Sequence, residues 1–304
     1  MYALKTILVA LDLTSIDNYL VRYALNYSKL LDLDKIVFVY VVQGVNLKEK
    51  VTTPDGNITK KEEIATKLKN EVDKSISEAE PGLEFVFSIK SGGHLNAILS
   101  EAQKHDAGQI LVGRKNLAEG PGRLSKRLAR RALCSVLTVP DKSEPDFKKI
   151  LVPVDFSEHS HLAVERSISV AKKHNLELQC MHIYNLPNGY LASGKSKEEF
   201  SKIMKSNAQK RWNHFLSEID TQGMEINCKF FLDMRANPAK LIYNTALIEH
   251  VDMIILGSRG RTNVAAAFIG STTEKLLGEN MSIPTLVVKN RTYNLGFFDA
   301  LLNF

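Results

Sequence analysis

The sequence is short of the residues that most readily dictate function on their own. Cysteine occurs three times in 304 residues, at Cys134, Cys180 and Cys228, each in or beside an apolar run. An odd number at such distances supports neither a disulfide framework nor a Cys-x-x-Cys metal spacing, and a reducing cytoplasm is the expected setting. Apolar runs such as "MIIL" and "TLVV" fall far short of the ~20 residues of a membrane span. The opening "MYALKTILVALDL" has no signal-peptide layout, because its apolar run stops at Asp12 without a small-residue cleavage site. A basic tail is missing too. On either side of residue 145 stand 21 basic against 18 acidic and 19 against 16 residues, so each half contributes +3 to the net +6. Neither a membrane nor a nucleic acid is therefore an expected partner. One local concentration remains, 123-RLSKRLARR-131, with five basic residues and no acid. A solvated helix face is the plain reading, and a phosphate-rich partner is the alternative.

What is present is a globular composition, 44% hydrophobic and 24% charged, in a chain long enough for two domains. An internal repeat supplies them. "KTILVALDLTSIDNYLVRYALNYSKLLDLDKIVFVYVV" opens the sequence, and "KKILVPVDFSEHSHLAVERSISVAKKHNLELQCMHIY" begins again at Lys148. In both, Ile-Leu-Val leads through two residues to an aspartate, Asp12 or Asp155, with a Ser or Thr close behind. Later "GQILVGRKN" answers "DMIILGSRG", and "SVLTVP" answers "PTLVVK". The expected domains are 1–142 and 146–290, joined by the polar "PDKSEPDF" linker, with a tail at 291–304.

Each half reads as strands separated by helices. Parallel neighbours need crossover connections, so the expected fold is α/β: two tandem doubly wound domains, each a five-stranded, mostly parallel sheet with helices on both faces. The strands are continuous apolar runs, as befits sheets covered on both sides. Ser157 is a candidate N-cap, followed by Glu158, with Leu162, Val164, Ile168 and Ala171 broadly on one helix face. Segments 43–62 and 186–200 show no strong pattern and are expected to be mobile.

The most informative stretch is 257-GSRGRTNVAAAFIGSTTEKLL-277. It follows a buried-strand pattern and runs into a helix. Gly257 and Gly260 suit a tight turn at positive φ with a ligand at backbone distance. Gly270-Ser271 then opens a helix whose free N–H groups attract phosphate. Glu274, three residues after Ser271, also permits a capping box. Asp155 and Gly257, at the ends of the first and fourth strands, would open onto one crevice.

Gly257-x2-Gly260-x9-Gly270-Ser271 after a fourth strand, with Asp155 at the end of the first, resembles the ATP-binding pattern of the universal stress protein family. The likeness runs through both halves, residues 3–290. It implies that Pro153, Val154 and Asp155 lie at the ribose, and that the Ile183 backbone reads the adenine edge. It likewise implies that Leu256 and Gly257 flank adenine and ribose. Arg259, Gly260, Gly270, Ser271, Thr272 and Thr273 correspond to the triphosphate cradle. Arg259 and Arg261 can pair with phosphates, and Mg²⁺ would accompany the nucleotide, held by phosphates and water. Asp155 as a turn residue, and the glycines as turn residues without ligand, are the plain readings of the same positions. His182 is expected to be a packed strand residue rather than a catalyst.

The first half departs from this pattern in 113-GRKNLAEGPGRLSKRLARRALCSVLTVP-140. Gly113 matches Gly257, but Asn116 stands where Gly260 should. The interval to Gly122, the counterpart of Gly270, is nine residues rather than thirteen, and Arg123 replaces Ser271. Asp12 is kept, while Ala10 replaces Pro153. This half is expected to be impaired for ATP, either a structural partner or a site for another phosphorylated ligand through Gly120-Pro-Gly122.

No Ser-His-Asp set, acidic pair or metal cluster stands out, and His159 and His161 are two apart, off a common helix face. A nucleotide-binding regulator in stress adaptation is expected, the stress role resting on the resemblance alone. A slow ATPase, a nucleotide-dependent transferase and a nucleotide-free scaffold are the alternatives. The final apolar strands "SVLTV" and "TLVV" suit edge pairing, which the family uses for dimers. The two halves can pair as a pseudo-dimer, and two whole molecules can pair as a homodimer. A regulatory protein partner is unidentified. The aromatic tail, with Phe297, Phe298 and Phe304, is expected to dock on a neighbouring surface.

Overall fold

The apolar runs of each half become strands of a parallel sheet. The computed structural model describes residues 4–53, 56–76, 82–114, 123–143, 145–187, 189–190, 194–260, 269–280 and 282–290. The protein divides into two units at the Pro145–Asp146 junction.

The first unit runs β1 (Thr6–Leu11), α1 (Ile16–Leu31), β2 (Lys35–Val42), β3 (Lys50–Thr53), β4 (Gly56–Thr59), α2 (Lys60–Ile76), β5 (Glu84–Ser91), α3 (His94–Lys104), β6 (Gln109–Arg114), α4 (Arg123–Arg131) and β7 (Ser135–Pro140). Its sheet order is β5-β2-β1-β6-β7, and every pairing is parallel. Ile7, Leu8 and Val9 of β1 are completely buried, which accounts for the unbroken apolar run. Segment 43–62 is a correction to the sequence reading. It carries an antiparallel hairpin, β3 with β4, that leads directly into α2.

The second unit runs β8 (Lys149–Val154), α5 (Glu158–His174), β9 (Glu177–Tyr184), α6 (Lys197–Ser217), β10 (Asn227–Leu232), α7 (Pro238–Ile248), β11 (Met253–Gly257), α8 (Ser271–Glu279) and β12 (Thr285–Val288). Its order is β10-β9-β8-β11-β12, again wholly parallel. The backbone steps outward from β8 to β10, then returns to β11 on the other side of β8. With right-handed crossovers, that reversal puts α5 and α6 on one face and α7 and α8 on the other, and α7 packs on α8. Ser157 caps α5, accepting from the Ser160 N–H, and the Ser160 hydroxyl accepts from the Ser157 N–H. The stripe that α5 buries is Ser160, Ala163, Val164, Ser167, Ile168 and Ala171. Leu162 lies at its margin, because small residues let the helix lie close to the sheet. Ser196 and Glu199 form a reciprocal cap that starts α6, so ordered structure reaches into the 186–200 segment. Among the described residues, no helix is long and apolar enough to cross a membrane. The 291–304 tail, Asn116, Gly120, Gly122 and Arg261 lie outside the described residues.

Candidate functional site

The reversal of strand order beside β8 leaves a crevice outside the carboxyl ends of β8 and β11. Strand β8 ends at Val154, and the backbone leaves the sheet through Asp155 and Phe156. Phe156 is left-handed, at φ 63°, a conformation that costs an L residue about 1–2 kcal/mol. Aromatic packing holds it there. Its ring stacks on His182 at 4.2 Å, tilts against Phe215 at 5.6 Å, and carries the Arg211 guanidinium at 4.9 Å. His182 is buried, and its Nδ1–H donates to the Val154 carbonyl at 2.8 Å. It is a packed residue that ties β9 to β8.

The Asp155 carboxylate is divided between two tasks. Oδ1 accepts from the Ser157 N–H and the Ser160 hydroxyl, both at 3.1 Å, which fixes the start of α5. Oδ2 lies towards Gly260, where a Cβ would come within 2.6 Å of it.

The glycines act differently from the sequence expectation. None of Gly257, Gly260 and Gly270 has positive φ. A Cβ on Gly257 would stand 2.7 Å from the carbonyl carbon and oxygen of His159. Gly257 is bare because α5 lies against the end of β11. Gly260 is bare because the Asp155 carboxylate occupies the space a methyl would take. Gly270 has φ −60° and ψ 143° with no atom within 3.6 Å of a Cβ, so backbone geometry and local crowding do not require glycine there.

Gly270, not Ser271, is the N-cap of α8, and it is not capped by any side-chain hydrogen bond. The Ser271–Glu274 capping box is therefore not formed. The Gly270 N–H donates to the Ser258 carbonyl at 2.8 Å, and the Glu274 N–H closes the first turn on Gly270 O at 2.9 Å. The N–H groups of Ser271, Thr272 and Thr273 belong to the first turn, where the helix supplies no acceptor. The Thr273 hydroxyl donates to Gly257 O at 3.1 Å, so what it can donate beyond the fold is its backbone N–H.

A cavity of about 320 Å³ lies here. All twelve residues expected from sequence border it: Pro153, Val154, Asp155, Ile183, Leu256, Gly257, Arg259, Gly260, Gly270, Ser271, Thr272 and Thr273. Five more line it that the sequence reading does not single out, namely Ser160, Met181, Asn185, Pro238 and Ile242. Part of this set carries a signal. Met181 is two residues from Ile183 on the same strand face, and Pro238 with Ile242 marks one face of the first turns of α7. The wall is thus apolar from β9, α7 and β11, and polar from Asp155, Arg259 and the start of α8.

The lining carries one charge of each sign, Asp155 and Arg259. Burial, then the charge of Arg259, pushes the His159 imidazole below its ordinary 6.5. His161 points elsewhere, edge-on to Phe215 with ring centroids 5.7 Å apart. Burial raises the Cys180 thiol and pushes Cys228 up to about 12. Among the described residues, no group of three or more His, Cys, Asp or Glu could hold a metal ion.

The first unit repeats the frame with different contents. Leu13 is left-handed at φ 58°, in the place of Phe156. Gly113 faces Ile16, whose Cδ1 would stand 3.0 Å from a Cβ, as Gly257 faces His159. Where Ser160 borders the cavity, the first unit has Asp17, buried, with Oδ2 accepting the Leu13 N–H at 2.6 Å. Two carboxylates, Asp12 and Asp17, therefore stand where the second unit has one.

The universal stress protein family model matches residues 3–140 and again 146–289. A universal stress protein of Methanocaldococcus jannaschii is 29% identical over 160 residues, 48% of this protein and 96% of that one. A universal stress protein structure from Archaeoglobus fulgidus superposes with TM-score 0.61 at 18% identity, covering 94% of this protein and 96% of its own length. A Pseudomonas aeruginosa structure described as a universal stress protein gives 0.66 at 16% identity, with 98% of both sequences covered. These structural likenesses establish the fold. The double match to the family model establishes the rest: the chain belongs to the universal stress protein family, as two successive copies of its domain.

Proposed function

We propose that the second unit binds an adenine nucleotide, ATP in the first instance, and that the protein is a nucleotide-responsive regulator in stress adaptation rather than a dedicated enzyme. One observation carries this reading. A nine-residue helix with no side-chain cap begins at the same cavity that an aspartate and an apolar wall border. The donor set fits the ligand. First-turn N–H groups and Arg259 suit phosphate, and Asp155 Oδ2 can accept from ribose hydroxyls. Met181, Ile183, Ile242 and Leu256 suit the faces of a base. The bareness of Gly260 keeps that carboxylate in place. Mg²⁺ would enter with the phosphates and supply charge neutralisation.

The first unit, on this reading, does not hold a triphosphate, because Asp17 adds negative charge and Arg123 replaces a small residue at the helix start. A homodimer and a regulatory protein partner belong to the same proposal, and light scattering checks the former. Calorimetric titration of the full-length protein with ATP and magnesium tests the main reading. Saturable heat without steady phosphate release supports a regulator. Steady release, absent from a Gly270→Asp control, would make the protein an ATPase, and absence of binding would overturn the proposal.

A further inference from the structure

The even charge balance of the two halves conceals one helix that works against itself. Helix α4 carries Arg123, Lys126, Arg127, Arg130 and Arg131 in nine residues and has no acid. Helical spacing places like charges beside one another in five pairs: Arg123–Lys126, Arg123–Arg127, Lys126–Arg130, Arg127–Arg130 and Arg127–Arg131. Arg123 also stands at the positive end of the helix dipole, where a cation is unfavourable. All four arginines are exposed. Leu128 and Ala129 are completely buried in the first unit, so packing, not surface electrostatics, holds the helix. Arg123, Arg127 and Arg131, at successive i, i+4 positions and all exposed, crowd like charge along one ridge, and a surface that keeps unfavourable local charge suits a function met by an external anion.

The residue type narrows the anion. Four of the protein's twelve arginines lie in these nine residues, although lysine outnumbers arginine overall by 28 to twelve. Arginine grips phosphate bidentately. An anionic membrane fits less well, because Leu128 and Ala129 face the core and only the half-buried Leu124 is left, too little to insert among lipids. We infer that the exposed face of α4 binds the phosphodiester backbone of a nucleic acid strand, independently of base sequence. No aromatic residue occurs in α4, so the contact is electrostatic and lacks stacking.

The test is fluorescence anisotropy of the full-length protein with a labelled single-stranded RNA across a salt series. Four phosphate contacts predict a slope near −2.8 in log K against log salt, which is a loss of roughly 50-fold between about 50 and 200 mM. The variant R123Q/R127Q/R130Q/R131Q should bind weakly with a flat salt dependence. Relief of like-charge repulsion predicts that R123Q/R127Q melts at or above the wild-type temperature. The pair R123Q/R127Q, a milder change, should remove about half of the slope. The inference is overturned by RNA that stays free at the lowest salt, or by variants that keep the wild-type slope. It is equally overturned by phosphatidylserine vesicles that bind the protein more tightly than RNA through the same arginines.

Discussion

Gly270→Asp separates anion binding from folding, because it should leave one intact while removing the other. The backbone at Gly270 suits any residue, and an added Cβ has 3.6 Å of clearance. Aspartate is among the preferred N-cap residues, and its carboxylate would accept from the N–H of Thr272 or Thr273. The helix should gain a few tenths of a kcal/mol relative to glycine. The same carboxylate would occupy the donors meant for phosphate and repel it. Two unit charges about 4 Å apart at an effective dielectric near 20 interact by about 4 kcal/mol. That corresponds to roughly a thousandfold loss of affinity. Gly270→Asn isolates the charge, since it caps equally well but is neutral; losing one hydrogen bond, about 1–1.5 kcal/mol, predicts roughly a tenfold loss. The assay is calorimetric affinity for ATP with magnesium, alongside the melting temperature of each variant. Equal losses for Asn and Asp, or near wild-type binding by Asp, would refute the reasoning.

Three further outcomes follow from the geometry. Gly257→Ala forces a methyl into the His159 backbone and should cost about 1–3 kcal/mol. At roughly 2–4 °C per kcal/mol, calorimetric melting should show that drop, whereas Gly113→Ala, which meets the flexible tip of Ile16, should show less. Gly260→Ala should leave melting nearly unchanged but displace Asp155 Oδ2, weakening nucleotide about 10–100-fold through a lost charged hydrogen bond. In the first unit, burial alone would raise the Glu101 carboxyl, but hydrogen bonds from Lys90 at 2.7 Å and Ser88 at 2.6 Å outweigh it and hold it below the ordinary 4.5. A depressed carboxylate contributes its full stabilisation above pH 4.5 and loses it as pH falls through the folded value. Glu101→Gln should therefore flatten the acid limb of the stability–pH curve, measured by denaturant unfolding, and an unchanged limb would count against this role.

The sheet is legible in the sequence because its strands are buried on both faces and so read as unbroken apolar runs, as in Ile7-Leu8-Val9 and Ile150-Leu151-Val152. The hairpin β3–β4 is harder to see, although "TTPDGNIT" carries a Pro-Asp-Gly turn signal between Thr-rich segments. Its strands are short and half polar, and pattern recognition depends on burial. At the site, the glycine spacing is visible but its causes are not. Gly257 answers to α5 and Gly260 to Asp155, through approaches that only folding brings about. Gly270 is the position whose bareness neither backbone angle nor packing explains. Pro238 and Ile242 escape the sequence reading because α7 reaches the crevice through the return of the backbone from β10 to β11, a long-range consequence of topology.

Native mass spectrometry of the freshly purified full-length protein, incubated with ATP and magnesium, addresses the central claim most directly. The account predicts a single retained adenine nucleotide per molecule that Gly270→Asp abolishes. A protein that retains none, or two nucleotides of equal affinity, would contradict it.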